Sequence, residues 1–386
     1  MEEVVIVSCT RSPHGSFNGS LSSLHPSELC GHVIKSCISQ SGLDSSSIES
    51  VFVGNVVSAG IGQNPAKQCA IAGGIKSSVP CTLINKVCCS SMKAMTLGAQ
   101  EIMCGQSSVV LIAGVESMSK CPSLVPRLKA GETLNTETKP VDSMVKDGLW
   151  DSFNDKHMGF LVDAIAEKEG FTREEQDNYA LRSFSRAQSA WDAKAFNVTP
   201  IPTPNGLLEF DENIKKLIPA KVPTLRPSFS PKGTITAANA SSLADGAVAA
   251  IICSSKYAAE HGLKPIAKII SFADAGVDPS EFPLATIHST QKALNKANLS
   301  VQDIDLWEVN EAFSAVPLLF SKSFGISQDN INVLGGSVAI GHPLGCTGLR
   351  IICTLIDALK LQNKPRGLAT LCNGGGGATS VILEMI

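Results

Sequence analysis

Two stretches of this chain, GLDSSSIESVFVGNV (42–56) and ANLSVQDIDLWEVNE (297–311), follow the same plan. Each stretch closes a helix, crosses a short polar turn and enters a strand that ends near an asparagine. The order of strands and helices around the two stretches also recurs. An internal duplication of an α/β unit is therefore predicted. A chance recurrence of similar units is the alternative interpretation.

The predicted elements follow this order in both halves. The first half is predicted to have strands at 4–8, 51–57, 81–84, 109–113 and 245–253, and helices at 26–40 and 92–103. The second half is predicted to have strands at 267–271, 305–309, 332–334 and 367–372, and helices at 286–297 and 348–361. Such alternation is typical of a mixed sheet with helices on both faces.

The segment between the two halves has a different character, because residues 120–232 are rich in proline, threonine, serine and charge. One helix is predicted there, opened by the capping pattern of Thr172 with Glu174 and Glu175 and running to about Ala195. A long insertion on a rigid scaffold usually carries substrate contacts. We therefore divide the chain into three parts. They are a first half (1–119 and 244–260), a substrate-binding loop domain (120–243) and a second half (261–386).

Composition excludes several classes of protein. Hydrophobic residues make up 44% and charged residues 17% of the 386 residues, so a large core is expected rather than disorder. The net charge of −3 gives no basic excess for binding nucleic acid or an anionic membrane. The N-terminus does not resemble a signal or transit peptide, and no apolar stretch reaches the ~18 residues of a membrane span. A cytoplasmic enzyme is expected.

The 13 cysteines are odd in number and irregular in spacing. No CxxC pair and no cysteine–histidine spacing typical of zinc is present. The sequence therefore favours neither a metal site nor a disulfide framework, and most of the cysteines are expected to be reduced and buried.

Cys88 is a candidate nucleophile. The run INKVCCSS (84–91) places Cys88 and Cys89 where a short strand turns into a helix. The unpaired N–H groups and positive dipole at a helix start stabilise a thiolate, so a lowered pKa is expected for Cys88. From this run alone a buried structural cysteine is the favoured interpretation, and Cys89 competes for the role of nucleophile.

A histidine lies in a second strand-to-helix turn. The run GGSVAIGHPLGCTG (335–348) holds His342 among glycines that indicate a backbone pressed close to something. A histidine near a helix start is placed to act as a base. The alternative is a hydrogen-bonded turn histidine.

A glycine-rich run follows a third strand. In LCNGGGGATS (371–380), Cys372 ends the strand and four glycines, 374–377, present N–H groups to an oxyanion. A phosphate-cradling loop is the rival interpretation, but no GxxxxGK[ST] or GxGxxG motif is present.

A fourth run, WEVNEAFSA (307–315), places Asn310 at the end of a strand. An asparagine there is ordinarily a turn former or a cap, so Asn310 indicates little by itself.

Taken together, these four segments resemble the thiolase family, in the family's order and at compatible spacing. The matching motifs are NKVC (85–88), NEAF (310–313), GHP (341–343) and CxGG (372–375), with further similarity in GQNPA (62–66), ESMS (116–119), HMG (157–159) and NAS (239–241). The resemblance covers nearly the whole chain. It implies an α/β fold of two similar halves, each with a five-stranded mixed sheet, stacked as a layered sandwich. It also implies a homodimer or homotetramer.

The resemblance implies an acetyl-CoA C-acetyltransferase that works through an acetyl-cysteine. Cys88 would attack the thioester and hold the acetyl group. His342 would take the thiol proton and return a proton to the leaving CoA sulfur, and Cys372 would remove the methyl proton of a second acetyl-CoA. The N–H groups of Cys88 and Gly374 would hold one oxyanion, and His342 with a water fixed by Asn310 would hold the other.

The implied partners are acetyl-CoA, acetoacetyl-CoA and CoA. No metal and no redox cofactor is implied, since the CoA thioesters are substrates. The residues expected to contact substrate are His157, Met158, Ser241, Phe229, Phe313 and Lys215. His157 resembles the histidine of the short-chain, biosynthetic branch. Ser241 is expected at the pantetheine arm, and Lys215 at a CoA phosphate.

The chain departs from the family pattern at several places. Cys88 is followed by Cys89, Ser90 and Ser91 where Ala, Ser and Gly are usual, and Ser242 stands in place of a glycine. The run EFPLA (281–285) lacks the usual Met-Gly and Gly-Pro pattern near the acyl pocket. These departures bear on acyl-chain preference and CoA affinity more than on the type of reaction.

Three other functions compete with this interpretation. The nearest is a 3-ketoacyl-CoA thiolase that acts on longer chains. The second is a thiolase-like protein that binds lipid or CoA without catalysis, which the presence of Cys88, Asn310, His342 and Cys372 disfavours. The third is a condensing enzyme for carrier-protein substrates, which the cysteine at position 372 disfavours.

Overall fold

The valine- and isoleucine-rich runs form the strands of the main sheet, as their β propensity favours. The structure is a computed structural model that describes residues 2–133 and 139–386. The first half begins with β1 (Val4–Arg11), β2 (Gly15–Ser16), α1 (Pro26–Ser41), β3 (Ser50–Gly54), α2 (Pro65–Ala72), β4 (Cys81–Ile84), α3 (Ser90–Met103) and β5 (Val109–Ser117). These bounds confirm the predicted order: β1 and β5 are longer than predicted, β3 ends earlier, and β4 has the predicted bounds.

A long insertion follows β5, and the chain then returns to the first half before it enters the second. The insertion holds β6 (Ser123–Leu124), β7 (Val141–Asp142), β8 (Trp150–Asp151), β9 (Lys156–His157), α4 (Met158–Glu169), α5 (Arg173–Asp192), β10 (Ile201–Thr203) and β11 (Gly206–Leu208). The remaining elements are β12 (Ala244–Ser254), α6 (Ser255–Glu260), β13 (Ala267–Gly276), α7 (Ala285–Ala297), β14 (Leu306–Val309), α8 (Ala315–Phe324), α9 (Ser337–Ile340), α10 (Leu344–Gln362), β15 (Arg366–Asn373) and β16 (Gly377–Met385).

The strands of both halves join in one hydrogen-bonded sheet. Its order is β14-β15-β16-β13-β1-β12-β5-β3-β4, with parallel pairing at β3 and antiparallel pairing at β12. The halves meet where β1 pairs with β13, through Val5 with Lys268 and Ile6 with Ala267. The predicted mixed α/β fold of two similar halves is therefore confirmed, with a short backbone seam between the two.

Two helices, α3 and α10, separate the halves as the central layer. They pack on each other, and α10 also contacts strands of both halves, β5 and β15. Their apolar side chains, such as Met92, Met95, Ile351 and Leu355, are fully buried in one shared core. Helices α1 and α2 cover the outer face of the first half, and α7 covers that of the second. The result is the layered sandwich. The strand-to-helix turns of both halves lie next to its central layer, which α3 and α10 form.

The predicted strand at 332–334 is wrong. Asn332 has a left-handed backbone, with φ of 49°, which ends the extended run after Ile331. The Asn332 side chain replaces the backbone hydrogen bonds that a strand at 332–334 would make. Val309 N–H donates to Asn332 Oδ1 (2.8 Å), and Asn332 Nδ2 donates to the Val309 carbonyl (2.7 Å). The second half therefore keeps only an isolated bridge between Ile331 and Trp307 where the first half has β4.

The insertion contains the predicted capped helix. In α5, Glu175 N–H donates to Thr172 Oγ1 (3.2 Å) and Thr172 N–H donates to Glu175 Oε2 (2.7 Å), so the capping box is confirmed. The helix ends at Asp192, before the predicted end. A buried ion pair between Arg11 and Asp211, 2.7 Å apart, fixes the later part of the insertion to β1. The helix α4 and the last strand, β16, were not predicted.

One disulfide is present, between Cys9 of β1 and Cys353 of α10, whose Cα atoms lie 5.8 Å apart. The sequence did not indicate it, because the partners are separated by 344 positions and spacing carries no signal at that distance. The other cysteines of the described ranges are free thiols, and most of them are buried.

Candidate active site

One cavity of about 350 Å³ opens where the strand ends of both halves face the insertion. The predicted site residues on its wall are Cys88, His342, Cys372, Gly374, His157, Met158, Ser241, Phe229 and Phe313. Cys88 comes from the first half, Cys372 from the second and His157 from the insertion. The fold therefore brings together side chains that lie hundreds of residues apart in the sequence.

A strained turn presents Cys88 to this cavity. Val87 has φ of 48°, a conformation that β-branched residues rarely adopt. Ser90 closes the turn, because its hydroxyl donates to the Val87 carbonyl (2.6 Å) and accepts from Lys86 N–H (2.9 Å). The thiol of Cys88 is half-buried and faces the cavity, whereas Cys89 points into the core, 3.3 Å from the Leu371 carbonyl. Cys88 is thus the thiol that a substrate reaches.

The expected lowering of the Cys88 pKa is wrong. Burial, together with a smaller effect of neighbouring Cys89, raises the pKa of Cys88 to about 12, although the backbone amides of Gly374 and of Cys88 itself act in the opposite direction. Cys88 precedes the first residue of α3, Ser90, so it lies outside the first helical turn, where the dipole acts most strongly. Its surroundings are largely apolar, which disfavours a thiolate. Cys88 therefore rests as a thiol and needs a base.

His342 has the properties of that base. Burial, together with the positive charge of Arg350, lowers its pKa to about 3, so the ring is neutral at neutral pH. Its Nδ1 lies 2.7 Å from Thr347 Oγ1, and that hydroxyl donates its own hydrogen to the Pro343 carbonyl (2.9 Å). The hydroxyl must therefore accept from Nδ1–H, which leaves Nε2 as the unprotonated, basic nitrogen.

Cys372 and Gly374 lie at the end of β15, on the far wall of the cavity. Burial raises the pKa of the Cys372 thiol well above its usual range, and the proximity of Cys88 and Cys89 raises it further. The backbone of Gly374 acts on the Cys88 thiol in the direction that lowers its pKa. Gly374 lines the cavity together with Cys88, so its N–H is a candidate donor to an oxyanion on a Cys88-bound carbonyl.

Asn310 lies behind His342 rather than on the cavity wall. Its Nδ2 is 3.4 Å from His342 Nε2, and its Oδ1 accepts a hydrogen bond of 2.6 Å from the Ser337 hydroxyl. The backbone N–H of Asn310 donates to the Thr370 carbonyl (3.0 Å), so the residue is fixed to β15. The amide is placed to hold a group beside His342.

An aromatic group forms the wall contributed by the insertion. The rings of His157 and Phe229 are stacked with centroids 4.7 Å apart, and Phe229 meets Phe313 edge to face at 6.1 Å. Gly159 N–H donates to His157 Nδ1 (3.1 Å), and partial burial lowers the histidine pKa. His157 is therefore a neutral ring whose Nε2–H is free to donate to a substrate.

The structure does not bring Lys215 to this cavity. Its ammonium lies 3.9 Å from the centre of the Phe210 ring, on a separate cavity. Lys215 lies in a helical turn, Glu212–Lys216, in which successive side chains point in different directions. Lys216 and Lys221 line a second cavity of about 220 Å³, which shares Ser242 with the first.

Glu116 supports the site from behind the cavity wall, and the sequence analysis quoted it only within the ESMS motif, without a role. Its buried carboxylate accepts from Asn55 Nδ2 (2.9 Å), Val56 N–H (3.0 Å), Val57 N–H (3.1 Å) and Gly345 N–H (2.8 Å). It thereby ties the first turn of α10, next to His342, to the first half. Burial raises its pKa to about 7. An acidic residue at the end of an apolar strand was the available signal.

Apolar residues that the sequence analysis also missed complete the cavity. Met144, Val145 and Leu149 come from a π-helical turn of the insertion, and Phe282 comes from the turn before α7. Within the described ranges, no group of three or more His, Cys, Asp and Glu side chains is arranged to hold a metal ion. No helix there is long and apolar enough to cross a membrane.

Family models, sequence relatives and a solved structure relate this chain to known proteins. Residues 4–256 match the family model of the thiolase N-terminal domain, and residues 263–385 match that of the thiolase C-terminal domain. A cytosolic acetyl-CoA acetyltransferase of Gibberella zeae is 44% identical, over 99% of this chain and 98% of its own. A mitochondrial acetyl-CoA acetyltransferase of Rattus norvegicus is 43% identical, over 100% of this chain and 92% of its own. The crystal structure of the Acat5 thiolase from Ascaris suum in complex with coenzyme A superposes with a TM-score of 0.95, at 44% identity over the whole of both chains.

Proposed function

The chain belongs to the thiolase family of acyltransferases, and we propose that it is an acetyl-CoA C-acetyltransferase. It condenses two acetyl-CoA molecules to acetoacetyl-CoA and CoA, and it catalyses the reverse cleavage. The observation that carries the proposal is the single cavity that joins the thiols of Cys88 and Cys372 with the base His342. The relatives named acetyl-CoA acetyltransferases support the short acyl group.

The first half-reaction transfers the acetyl group to Cys88. His342 Nε2 takes the thiol proton, and the sulfur forms a bond to the carbonyl carbon of acetyl-CoA. The N–H groups of Cys88 and Gly374 stabilise the oxyanion. When the bond from carbon to the CoA sulfur breaks, the proton on His342 passes to that sulfur. Because His342 is neutral at rest, it is ready to accept the proton.

The second half-reaction forms the carbon–carbon bond. Cys372 passes its thiol proton to the neutral Nε2 of His342, and the thiolate, a strong base because of its raised pKa, removes a proton from the methyl group of a second acetyl-CoA. The protonated Nε2 of His342 and a water held by Asn310 then stabilise the enolate oxygen. The enolate carbon attacks acetyl-Cys88, the bond to the Cys88 sulfur breaks, that sulfur takes the proton from His342, and acetoacetyl-CoA leaves.

The cavity walls support a preference for short acyl chains. Phe229, Phe313 and Phe282 border the space around the two thiols, so a long chain would have to displace an aromatic ring. Ser241 lies on the same wall, at the expected position of the pantetheine arm. Beyond it, Lys216 and Lys221 offer positive charge for a CoA phosphate. A 3-ketoacyl-CoA thiolase is the alternative. Faster cleavage of 3-ketooctanoyl-CoA than of acetoacetyl-CoA would favour that alternative.

The proposal extends to the enzyme's surroundings. The mechanism uses no metal and no redox cofactor, since the CoA thioesters supply the reacting groups. We infer a homodimer or homotetramer, because β4 ends the order of the main sheet and an edge strand offers hydrogen bonds to a second copy. Sedimentation velocity measures the assembly. We also infer a cytoplasmic location, supported by the cytosolic relative, and fractionation of cells that express the chain tests it.

Intact-mass measurement after incubation with acetyl-CoA tests the function. We expect one acetyl adduct, located on Cys88 by peptide mapping, and its loss on addition of CoA. The Cys88→Ala variant should bind CoA without forming the adduct. An adduct on Cys89 alone, or no adduct in the unmodified chain, would refute the proposal.

A further inference from the structure

A directed chain of hydrogen bonds ends at Asn310. Arg350 Nη2 donates to the Ser337 hydroxyl at 2.5 Å, and that hydroxyl donates to Asn310 Oδ1 at 2.6 Å. Asn310 Nδ2 in turn lies 3.4 Å from His342 Nε2. Arg350, Ser337 and Asn310 are buried, with at most 1% of each residue exposed, so water does not compete for these hydrogen bonds.

Chemistry fixes the direction of this chain. A guanidinium has only donors, so Ser337 must accept from Arg350 and turns its own hydrogen elsewhere. The carbonyl oxygen of Asn310 is the acceptor that it meets, which forces the amide nitrogen of Asn310 toward His342. An amide turned by 180° would place its oxygen against the lone pair of His342 Nε2 and its NH₂ against a hydroxyl already engaged.

Arg350 makes no ion pair that would explain its burial. Among the described residues, its Nε and Nη1 have no hydrogen-bond partner, and no carboxylate lies within ion-pair distance of it. Buried Glu308 is the carboxylate that acts most strongly on the charge of Arg350, without a direct ion pair. A buried charge without a direct partner costs free energy, and replacement by an apolar side chain is often neutral or stabilising. The hydrogen bond from Arg350 to Ser337 links this cation to the site.

We propose that Ser337, oriented by Arg350, is a positioning residue that sets the Asn310 amide for the condensation step. The inference rests on the proposed function and adds to it a residue outside the four family motifs. The condensation oxyanion needs the Asn310 nitrogen, which holds the water beside His342. The acetylation oxyanion needs only the N–H groups of Cys88 and Gly374. Loss of the Ser337 hydroxyl therefore slows condensation and spares acetylation.

The test compares the two half-reactions in Ser337→Ala. Rapid-mixing mass spectrometry gives the rate of Cys88 acetylation, and a coupled assay gives the rate of acetoacetyl-CoA formation. We expect condensation to fall roughly 10-fold, the change that follows from losing about one hydrogen bond's free energy in the transition state, and acetylation to stay within about 2-fold. Ser289→Ala, which removes a buried hydroxyl of α7 that bonds Ser380, is the matched control and should change neither rate.

A double-mutant cycle with Asn310→Ala separates positioning from a structural role. If Ser337 acts through Asn310, Ser337→Ala causes no further loss of condensation in the Asn310→Ala background. Equal losses in both half-reactions, additive losses in the cycle, or unchanged condensation would overturn the inference. If Ser337→Ala does not fold, Ser337→Cys keeps the size and weakens the donor for the same comparison. Absence of acetyl-Cys88 in the unmodified chain would instead refute the proposed function.

Discussion

Asn55 and Asn310 occupy the same position in the duplicated stretches, yet they have different surroundings. The Asn55 amide donates to the Val115 carbonyl (3.0 Å) and to Glu116 (2.9 Å) inside the first half. The Asn310 amide is held by Ser337 and faces His342. The duplication therefore supplies a strand-end amide twice. Only Asn310, whose amide donor points toward His342, is placed to serve the reaction.

The two buried histidines repeat this contrast. Burial lowers the pKa of both His14 and His342 to about 3. His14 Nε2 faces the thiol of Cys346 at 4.0 Å in the interior, whereas His342 lies on the cavity wall. A shifted pKa alone thus does not identify a catalytic base. Access to the cavity separates the two histidines.

The largest expected effect distinguishes the role of Cys88, in the first half, from that of Cys372, in the second half. In the Cys372→Ala variant, Cys88 should become acetylated at a near-normal rate. The rate of condensation should fall roughly 10⁴-fold or more, because no base remains to remove the methyl proton. Intact mass gives the first rate, and acetoacetyl-CoA formation gives the second. Cys37→Ala, which removes a buried thiol of α1 that bonds the Ser8 hydroxyl, is the control. Surviving condensation would assign the carbon-acid base to another group.

A smaller effect should distinguish the two asparagines. Asn310→Ala should lower the rate of condensation about 100- to 1000-fold, because it removes an oxyanion donor. Both Asn310→Ala and Asn55→Ala should lower the free energy of unfolding by about 1–3 kcal/mol, because each leaves buried hydrogen-bonding groups without a partner. Only Asn310→Ala should cause the large loss of rate. Denaturant melts and steady-state rates measure both. Equal rate losses in the two variants would remove the distinction between the copies.

A further prediction concerns the wall of the cavity near α7. Phe282→Ala should raise the ratio of kcat/KM for 3-ketohexanoyl-CoA over acetoacetyl-CoA about 10-fold, because removal of the ring makes room for a few methylenes of the longer acyl chain. Phe153→Ala removes a ring that is 75% exposed and should leave the ratio unchanged. An unchanged ratio in Phe282→Ala would mean that this ring does not limit chain length.

The smallest effect is a pH dependence that originates in the first half. The pKa of His14 is about 3 when folded, against an ordinary value of 6.5, so the unfolded chain binds one more proton between these limits. Stability from the neutral ring is complete above about pH 6.5 and falls as the pH is lowered toward 3. His14→Gln should reduce the slope of the free energy of unfolding against pH by about 1.4 kcal/mol per pH unit near pH 5. Denaturant melts at a series of pH values measure the slope, and equal slopes would contradict the assignment.

Several features of the fold and site could be predicted from the sequence because they are local or repetitive. Apolar runs gave the strands, and the Thr172 capping box gave α5. The nucleophile, base and glycine-run motifs each lie in a single strand-to-helix or strand-to-loop turn. The strand at 332–334 failed because the Asn332 side chain replaces a backbone ladder, which no periodicity reveals.

The sequence by itself indicated two α/β halves, the first of them interrupted by an insertion, and it determined which residue types stand at the strand ends. Only the tertiary structure decided which of them meet. It placed Cys88 and His342 in one cavity, turned Lys215 away onto Phe210, and raised the Cys88 pKa where a helix start had suggested a lower one. The physical reason is that burial and the direction of a side chain depend on neighbours far away in the chain. The dielectric surroundings of a thiol follow from those neighbours and not from its motif.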